Sequence, residues 1–276
     1  MSDHGIKYLL FDVESVADGS LVSGVRYPGQ NLSPADAIAT YRQELMEKNG
    51  TDFIPYTFQI PVSVVVGKVS EDFELLELVT LDAPEFRPHA ITQKFWLGWK
   101  MYSRPTFVTF NGRTFDLPLM ELAAFRYGIS VPDWFAGEKS WEQPRNRYNS
   151  WSHIDLQEVL TNHGASRFNG GLNLAAQLLG KPGKMDVQGD MVQDMYTDGR
   201  LQEVNDYCRC DVLDTYFIFL RCMVMTGKLD LEREIELVSK TTQWLEEHAS
   251  EVEVYATYLE RCSEWSNPWA TVESKE

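Results

Sequence analysis

Two carboxylates follow an apolar run near the start of the chain and stand two residues apart. Residues 7–15 read Lys-Tyr-Leu-Leu-Phe-Asp-Val-Glu-Ser, which places Asp12 and Glu14 at the end of a predicted strand. Because side chains alternate between the two faces of a strand, both carboxylates would project from the same face. Adjacent carboxylates repel each other, and a divalent cation relieves that repulsion. The pair is therefore a candidate metal site, although a strand can also end in solvated acids by chance.

A third carboxylate, Asp116, comes directly after a second predicted strand. Residues 106–110 favour a short strand, residues 111–112 a turn, and residues 115–127 a helix. Asp116 therefore falls in the first turn of a helix, close to a strand end. A carboxylate at this position also simply caps the helix and compensates its dipole, so both interpretations of Asp116 stay open.

A tyrosine and an aspartate four residues apart lie in a long helical pattern. The pattern extends from about residue 199 to residue 225 and contains Tyr207 and Asp211. Residues four apart meet on one helical face, so the phenol would stand directly over the carboxylate. Taken alone, such a pair is also compatible with ordinary packing and a surface acid.

Together and in this order, the three segments resemble the three exonuclease motifs of the DEDD superfamily. The subtype is the tyrosine one, shared with the proofreading domains of family B DNA polymerases. Tyr207 occupies the tyrosine position, and Asp206 stands where the histidine subtype has its histidine. Four further phrases resemble stand-alone bacterial 3′-5′ exonucleases related to those domains, and the resemblance extends over about residues 6–222. These phrases are residues 111–118, 153–156, 179–184 and 211–216.

The resemblance implies an α/β, ribonuclease-H-like fold with a mixed five-stranded sheet flanked by helices, plus C-terminal helices. The hydrophobic pattern agrees, since it predicts a strand hairpin at 61–67 and 74–81, a helix at 84–103 and a fifth strand at 152–156. We expect an exonuclease domain over residues 1–228, with an insertion at 16–56, and a C-terminal helical extension over residues 229–276 packed on the same domain. Within the insertion, Ser33 as a cap and Pro34 in the first turn predict one helix, and the position beside Glu14 makes the insertion a candidate rim or lid. In the extension, Asp230 precedes an amphipathic run and is the expected cap of its first helix.

The resemblance also implies a metal-dependent 3′-5′ exonuclease that removes 5′-mononucleotides from the 3′ ends of single-stranded DNA. Two Mg²⁺ ions about 4 Å apart, for which Mn²⁺ can substitute, would activate water and stabilise the leaving 3′ oxygen. By resemblance, Asp12, Glu14 and Asp211 hold one ion. Asp12 and Asp116 serve the other, and Tyr207 orients the attacking water.

Four other residues near the motifs have expected roles. Asn111 and Phe115 are expected to line the pocket of the terminal nucleotide, whereas Asp155 and Asp214 are assigned to structure. Two other functions stay open. The motifs do not reveal whether a 2′ hydroxyl is contacted, so RNA trimming is an alternative. A catalytically silent scaffold with this fold is disfavoured because all four metal carboxylates are present.

Charge and aromatic residues suggest where a strand could bind. The net charge of −16 argues against a general affinity for phosphate, but residues 81–185 carry 12 basic and 9 acidic side chains. Within them, residues 141–151 interleave Arg145 and Arg147 with aromatic residues, which suits phosphate contact and base stacking on a single strand. The equally weighted alternative is a surface loop whose aromatic residues dock on the core.

Composition limits the remaining possibilities. With 276 residues, 43% hydrophobic and 24% charged, the chain can bury one substantial core. Its four cysteines are too few and too unevenly spread for a disulfide framework, and Cys-x-Cys within a helix is poor zinc geometry. No apolar run reaches transmembrane length and the first residues do not form a signal peptide, so we expect a cytoplasmic protein with no membrane partner.

Overall fold

A mixed five-stranded sheet forms the centre of the molecule. The computed structural model describes residues 5–185 and 189–270. The strands are β1 (Ile6–Ala17), β2 (Gln59–Ser70), β3 (Leu75–Thr80), β4 (Thr106–Thr109) and β5 (His153–Asp155). Their order is β3-β2-β1-β4-β5, with β2 antiparallel to both neighbours and β1, β4 and β5 parallel. The predicted hairpin and the predicted ribonuclease-H-like sheet are therefore confirmed.

Ten α-helices surround this sheet within the described residues. They are α1 (Gly19–Arg26), α2 (Pro34–Asn49), α3 (Pro88–Met101), α4 (Asp116–Tyr127), α5 (Leu156–Thr161), α6 (Gly171–Gln177), α7 (Val192–Thr197), α8 (Leu201–Met225), α9 (Leu231–His248) and α10 (Val254–Arg261). None of these described helices is both long enough and apolar enough to cross a bilayer.

Each face of the sheet is covered by its own apolar layer. Alternation along β1 sends Leu10 toward α8 and Phe11 toward α3 and α4. The α3 side is rich in aromatic rings, and Trp99 stacks on Phe107 with centroids 5.7 Å apart. The α8 side is covered by the long helix, whose residues from Val212 to Leu220 are all buried. The helix that carries Tyr207 and Asp211 is thus fixed against β1 and β2.

The insertion between β1 and β2 contains two helices, where the sequence predicted one. Ser33 and Pro34 begin α2 as predicted, since the Ser33 hydroxyl accepts the Asp36 N–H at 3.1 Å. The additional helix α1 is capped by Asp18, which also pairs with Arg126 of α4 at 2.5 Å. A small separate core, including Val22, Tyr41 and Leu45, holds α1 and α2 together. The insertion therefore has its own small core and is joined to α4 by an ion pair.

The C-terminal helices pack against α8. Asp230 caps α9 by accepting the Arg233 N–H at 2.8 Å, as its position before an amphipathic run predicted. Leu237 of α9 and Tyr258 of α10 belong to the same buried cluster as α8. The Tyr258 hydroxyl donates to Asp214 of α8 at 2.6 Å. The structural role expected of Asp214 therefore agrees with its contacts.

The first strand differs from the prediction at its end. The sequence placed Asp12 and Glu14 where the strand stops, but β1 continues to Ala17 because residues 12–17 stay paired with β2. A register shift follows Glu14. What ends near the carboxylates is the pairing with β4, which covers only residues 8–10 of β1. Asp12 and Glu14 thus lie on a part of β1 that pairs with β2 on one side and has no β4 partner on the other.

Candidate active site

The point where β1 and β4 separate brings the first two motifs together. The Val13 N–H has no β4 partner and instead donates to the Asp116 carboxylate at 3.1 Å. Asp116 is the first residue of α4, which begins after the turn at Asn111. Asn111 has φ 66°, and a Cβ on Gly112 would lie 2.5 Å from the Thr109 hydroxyl oxygen, so glycine is required for this tight turn. The main chain of β1 and the side chain of Asp116 are thereby joined.

Helix α8 supplies the third motif from the facing layer. Tyr207 and Asp211 are both buried and lie one helical turn apart, so the Tyr207 phenol is close enough to the Asp211 carboxylate to feel its charge. One carboxylate oxygen of Asp12 and one of Glu14 lie within 4.8 Å of each other. The structure thus gathers all five residues predicted as catalytic: Asp12, Glu14, Asp116, Tyr207 and Asp211.

Four acidic side chains in one buried place raise one another's pKa. Burial is the largest cause, and it raises the pKa of Asp12 to about 6. Burial, followed by the charges of Asp12, Asp211 and Asp116, raises the pKa of Glu14 well above its usual range. The pKa values of Asp116 and Asp211 are raised well above normal by burial and then by Asp12. Ionising this cluster without a cation is therefore costly.

The donor set fits hard divalent cations. Carboxylate oxygens are the ligands that Mg²⁺ and Mn²⁺ prefer, and the buried cluster offers four carboxylates. Among the groups that influence these carboxylates, Lys184 supplies positive charge to Asp211. One lysine cannot balance four buried carboxylates. The arrangement therefore calls for additional positive charge, which a divalent cation would supply.

Tyr207 remains a neutral phenol in this environment. Burial, and then the charges of Asp211, Glu14 and Asp12, raise the pKa of Tyr207 far above its usual value. A group that keeps its proton can donate a hydrogen bond but cannot act as a base near neutral pH. Its geometry therefore suits orientation of a water molecule or a phosphate oxygen.

Asp155 at the end of β5 holds the loop of the second motif. Its carboxylate accepts the Asn111 N–H at 3.0 Å and the Arg113 N–H at 2.9 Å, and it also caps α5. The Asn111 side chain accepts from Thr114 at 2.8 Å and from Gln157 at 3.2 Å. Asp155 thus has the contacts of a structural residue, as expected. Asn111 is engaged within its own loop.

A cavity of about 430 Å³ opens beside Glu14. Phe115 lines it, as the sequence suggested, whereas Asn111 is not among the lining residues. The insertion also contributes to the lining through Phe53, whose ring packs against that of Phe115 with centroids 5.9 Å apart. Phe53 is 56% exposed, which is unusual for a phenylalanine. Sequence reasoning did not identify Phe53, although it placed the insertion beside Glu14.

Arg145 and Arg147 lie on the protein surface, where each forms an ion pair with a glutamate of a different helix. Arg145 pairs with Glu121 of α4 at 2.8 Å, and Arg147 pairs with Glu158 of α5 at 3.2 Å. Exposed ion pairs of this kind contribute about 0–1 kcal/mol, so a phosphate can compete for either arginine. Trp141, Tyr148 and Trp151 are exposed, so the alternative that these rings dock on the core is wrong. Contact between residues 141–151 and a nucleic-acid strand stays a prediction.

Cys208 is a second residue at the site that sequence reasoning did not identify. The Cys208 sulfur lies 3.4 Å from the Asp12 main-chain oxygen and 3.5 Å from its carboxylate, and it is completely buried. Among the described residues, Asp12, Glu14 and Cys208 form a group whose potential ligand atoms all lie within 4.8 Å of one another. The sequence carried a signal, because Cys208 stands three residues before Asp211 and residues three apart share a helical face.

Sequence comparison shows the enzyme family to which the chain belongs. Residues 51–262 match the model of a family described as a predicted 3′-5′ exonuclease related to the exonuclease domain of PolB. The chain therefore belongs to this exonuclease family. The matched region contains the second and third motifs, whereas Asp12 and Glu14 lie before it. No curated protein matches the chain in sequence.

A similar solved structure is the family B DNA polymerase from the hyperthermophilic archaeon Pyrobaculum calidifontis. It aligns with a TM-score of 0.48 and 13% sequence identity over 89% of this chain. The alignment covers 29% of the polymerase chain, so the protein corresponds to less than a third of that enzyme's length.

Proposed function

We propose that the protein is a metal-dependent 3′-5′ exonuclease that removes 5′-mononucleotides from single-stranded DNA. The observation that carries the proposal is the buried cluster of four carboxylates and one neutral tyrosine beside an open cavity. Membership of the exonuclease family gives the reaction class, namely phosphodiester hydrolysis at a 3′ end. The preference for DNA and the use of two metal ions are the proposed refinements.

We assign metal-binding and orienting roles to five residues of the cluster. Asp12, Glu14 and Asp211 would hold one Mg²⁺ and Asp12 and Asp116 the second, with Mn²⁺ as a substitute. When bound, the ions would supply a nucleophile and positive charge for the leaving oxygen. Tyr207, which is buried one helical turn before Asp211, would orient the attacking water. The Val13 N–H keeps Asp116 in place relative to β1.

The cavity beside Glu14 would receive the terminal nucleotide. Its volume of about 430 Å³ lies near the lower end of the range for small-molecule pockets, so it suits one nucleotide at a time. Phe53 and Phe115 form a contacting aromatic pair in the cavity lining, and this pair offers a surface on which a base can stack. We therefore assign terminal-base binding to this pair of rings.

The decisive experiment uses a 5′-labelled single-stranded DNA oligonucleotide with Mg²⁺, with Mn²⁺ or with EDTA. The proposal expects a ladder of shortening products that requires metal, and resistance of circular and 3′-phosphorylated strands. Cleavage of a circle would mean an endonuclease. If an RNA oligonucleotide of the same sequence is degraded faster than the DNA, the preferred substrate is RNA and the proposed preference for DNA is wrong.

Replacing Tyr207 by phenylalanine should slow hydrolysis without loss of metal binding. Tyr207→Phe is expected to lower kcat about ten-fold, equivalent to about 1.4 kcal/mol, because the ring stays packed and only the orienting hydroxyl is lost. Mn²⁺ affinity, measured by electron paramagnetic resonance, should remain as in the wild type. Loss of Mn²⁺ binding would instead assign Tyr207 to the maintenance of the metal ligands.

Removing the ring on the insertion should weaken substrate binding. Phe53→Ala is expected to raise KM for oligonucleotides about five- to thirty-fold, since base stacking on an aromatic ring contributes about 1–2 kcal/mol. Phe125→Ala is the matched control, because Phe125 of α4 is even more exposed and does not line the cavity. Equal KM values for the two variants would remove Phe53 from the substrate site.

The two surface arginines should govern the salt dependence of binding. Arg145→Ala with Arg147→Ala is expected to reduce the slope of log KM against log salt by about 1.4, or about 0.7 for each phosphate contact. The control combines Arg233→Ala with Lys240→Ala, which removes two exposed, ion-paired cations from α9. Hydrolysis of the nitrophenyl ester of thymidine monophosphate, which is too short to reach Arg147, should not change. Equal losses on both substrates would show that the loop supports the fold.

A further inference from the structure

Beneath the carboxylate cluster, a row of buried polar side chains connects β1 and β2 to α8. Ser63 of β2 stands opposite Glu14 in the strand register, and its hydroxyl donates to the Asn205 side chain at 2.6 Å. The Asn205 amide donates to the Leu201 carbonyl at 2.6 Å. Cys208 follows one turn later on α8 and is the member of the row that contacts Asp12.

The Cys208 thiol lies directly against Asp12. Its sulfur is 3.4 Å from the Asp12 main-chain carbonyl oxygen and 3.5 Å from the Asp12 carboxylate, so both oxygens are within reach of the S–H donor. The Cys208 side chain is completely buried, which holds the sulfur in this place. A thiol is a weak donor, but a buried thiol in contact with the carboxylate favours one orientation of the Asp12 side chain.

We propose that Cys208 is a positioning residue that orients Asp12 for metal binding by donating its S–H to this carboxylate. The proposal rests on the metal-dependent function proposed above. Asp12 is the carboxylate assigned to both ions, so its orientation affects both sites together. Groups that hold metal ligands in place typically change metal affinity or activity by 10–100-fold when they are removed. A hard ion such as Mg²⁺ selects the carboxylate oxygens, which leaves the sulfur outside its coordination shell.

The test compares Cys208→Ala with Cys208→Ser and with Cys222→Ala. Cys222 is also buried and lies on the same helix, about 21 Å further along its axis. Cys222→Ala therefore measures the effect of deleting a buried sulfur that does not contact Asp12. Cys208→Ala is expected to weaken Mn²⁺ binding, measured by electron paramagnetic resonance without substrate, about ten-fold. The half-saturating Mg²⁺ concentration for hydrolysis should rise by the same factor, while KM for DNA stays constant.

Cys208→Ser keeps an O–H donor and should recover most of the lost metal affinity. Mn²⁺ binding by Cys208→Ala equal to that of Cys222→Ala would overturn the proposal. A Co²⁺-loaded wild type is expected to lack a thiolate-to-cobalt charge-transfer band, and a band that disappears in Cys208→Ser would make Cys208 a ligand and also overturn it. Because Mn²⁺ binding is measured without substrate, a protein that binds metal but cleaves nothing would contradict the proposed function and leave this test intact.

Discussion

Asp12→Asn and Asp211→Asn should each abolish metal-dependent hydrolysis. We expect kcat to fall on the order of 10³-fold or more, equivalent to about 4 kcal/mol of transition-state stabilisation, because each substitution removes a charged ligand from a site built of carboxylates. The measurement is single-turnover degradation of a 5′-labelled oligonucleotide with saturating Mg²⁺. Turnover at the wild-type rate by either variant would contradict the metal assignment.

The same variants should fold at least as well as the wild type. Removing one of several mutually repelling carboxylates relieves repulsion in the metal-free protein, so the unfolding temperature in EDTA should stay constant or rise. Asp206→Asn is the matched control for activity, because Asp206 lies on α8 next to Tyr207 and its side chain contacts Gln202 at 2.9 Å. It should retain full activity, which would separate the cluster from its acidic neighbours.

Metal binding should stabilise the protein increasingly as the pH rises. The pKa of Asp12 is raised to about 6, and those of Glu14, Asp116 and Asp211 are also raised well above their usual range, relative to unfolded values near 4. A raised carboxyl pKa contributes stability at low pH that is lost as the pH rises through the folded value. Between pH 5 and pH 8, the unfolding temperature in EDTA should therefore fall relative to that in Mn²⁺ by roughly 5–10 °C, or about 3 kcal/mol.

The comparison with Mn²⁺ separates the cluster from titrating groups that do not act on it. The pKa of the buried His153 is lowered by burial, so its contribution to stability increases with pH and opposes the trend both with and without metal. Burial raises the pKa of Asp214 to about 7, and the charge of Asp214 raises the pKa of Asp211, so Asp214 titrates as a neighbour of the cluster and acts in the same direction. A gap between the two melting curves that does not change with pH would exclude the carboxylates as the metal site.

Several helices and strands could be predicted from the pattern of residues along the chain. The strand hairpin, the helices around Trp96 and Tyr207, and the cap at Asp230 were predicted because hydrophobic period, turn residues and capping residues act within a few positions of each other. The end of β1 was placed too early for the same reason. Two acids end an apolar run in sequence, but strand length depends on pairing with β2, which comes more than forty residues later.

The sequence by itself indicated which groups gather at the candidate site. Asp12, Glu14, Asp116, Tyr207 and Asp211 were identified because their order and spacing resemble the three exonuclease motifs. The tertiary structure decided what surrounds them, namely the contact of Phe53 with Phe115 and that of Cys208 with Asp12. These contacts join residues 62 and 196 positions apart in the chain. Helical spacing placed Cys208 on the same face as Asp211, but its contact with Asp12 arises from packing between layers, which local sequence patterns do not specify.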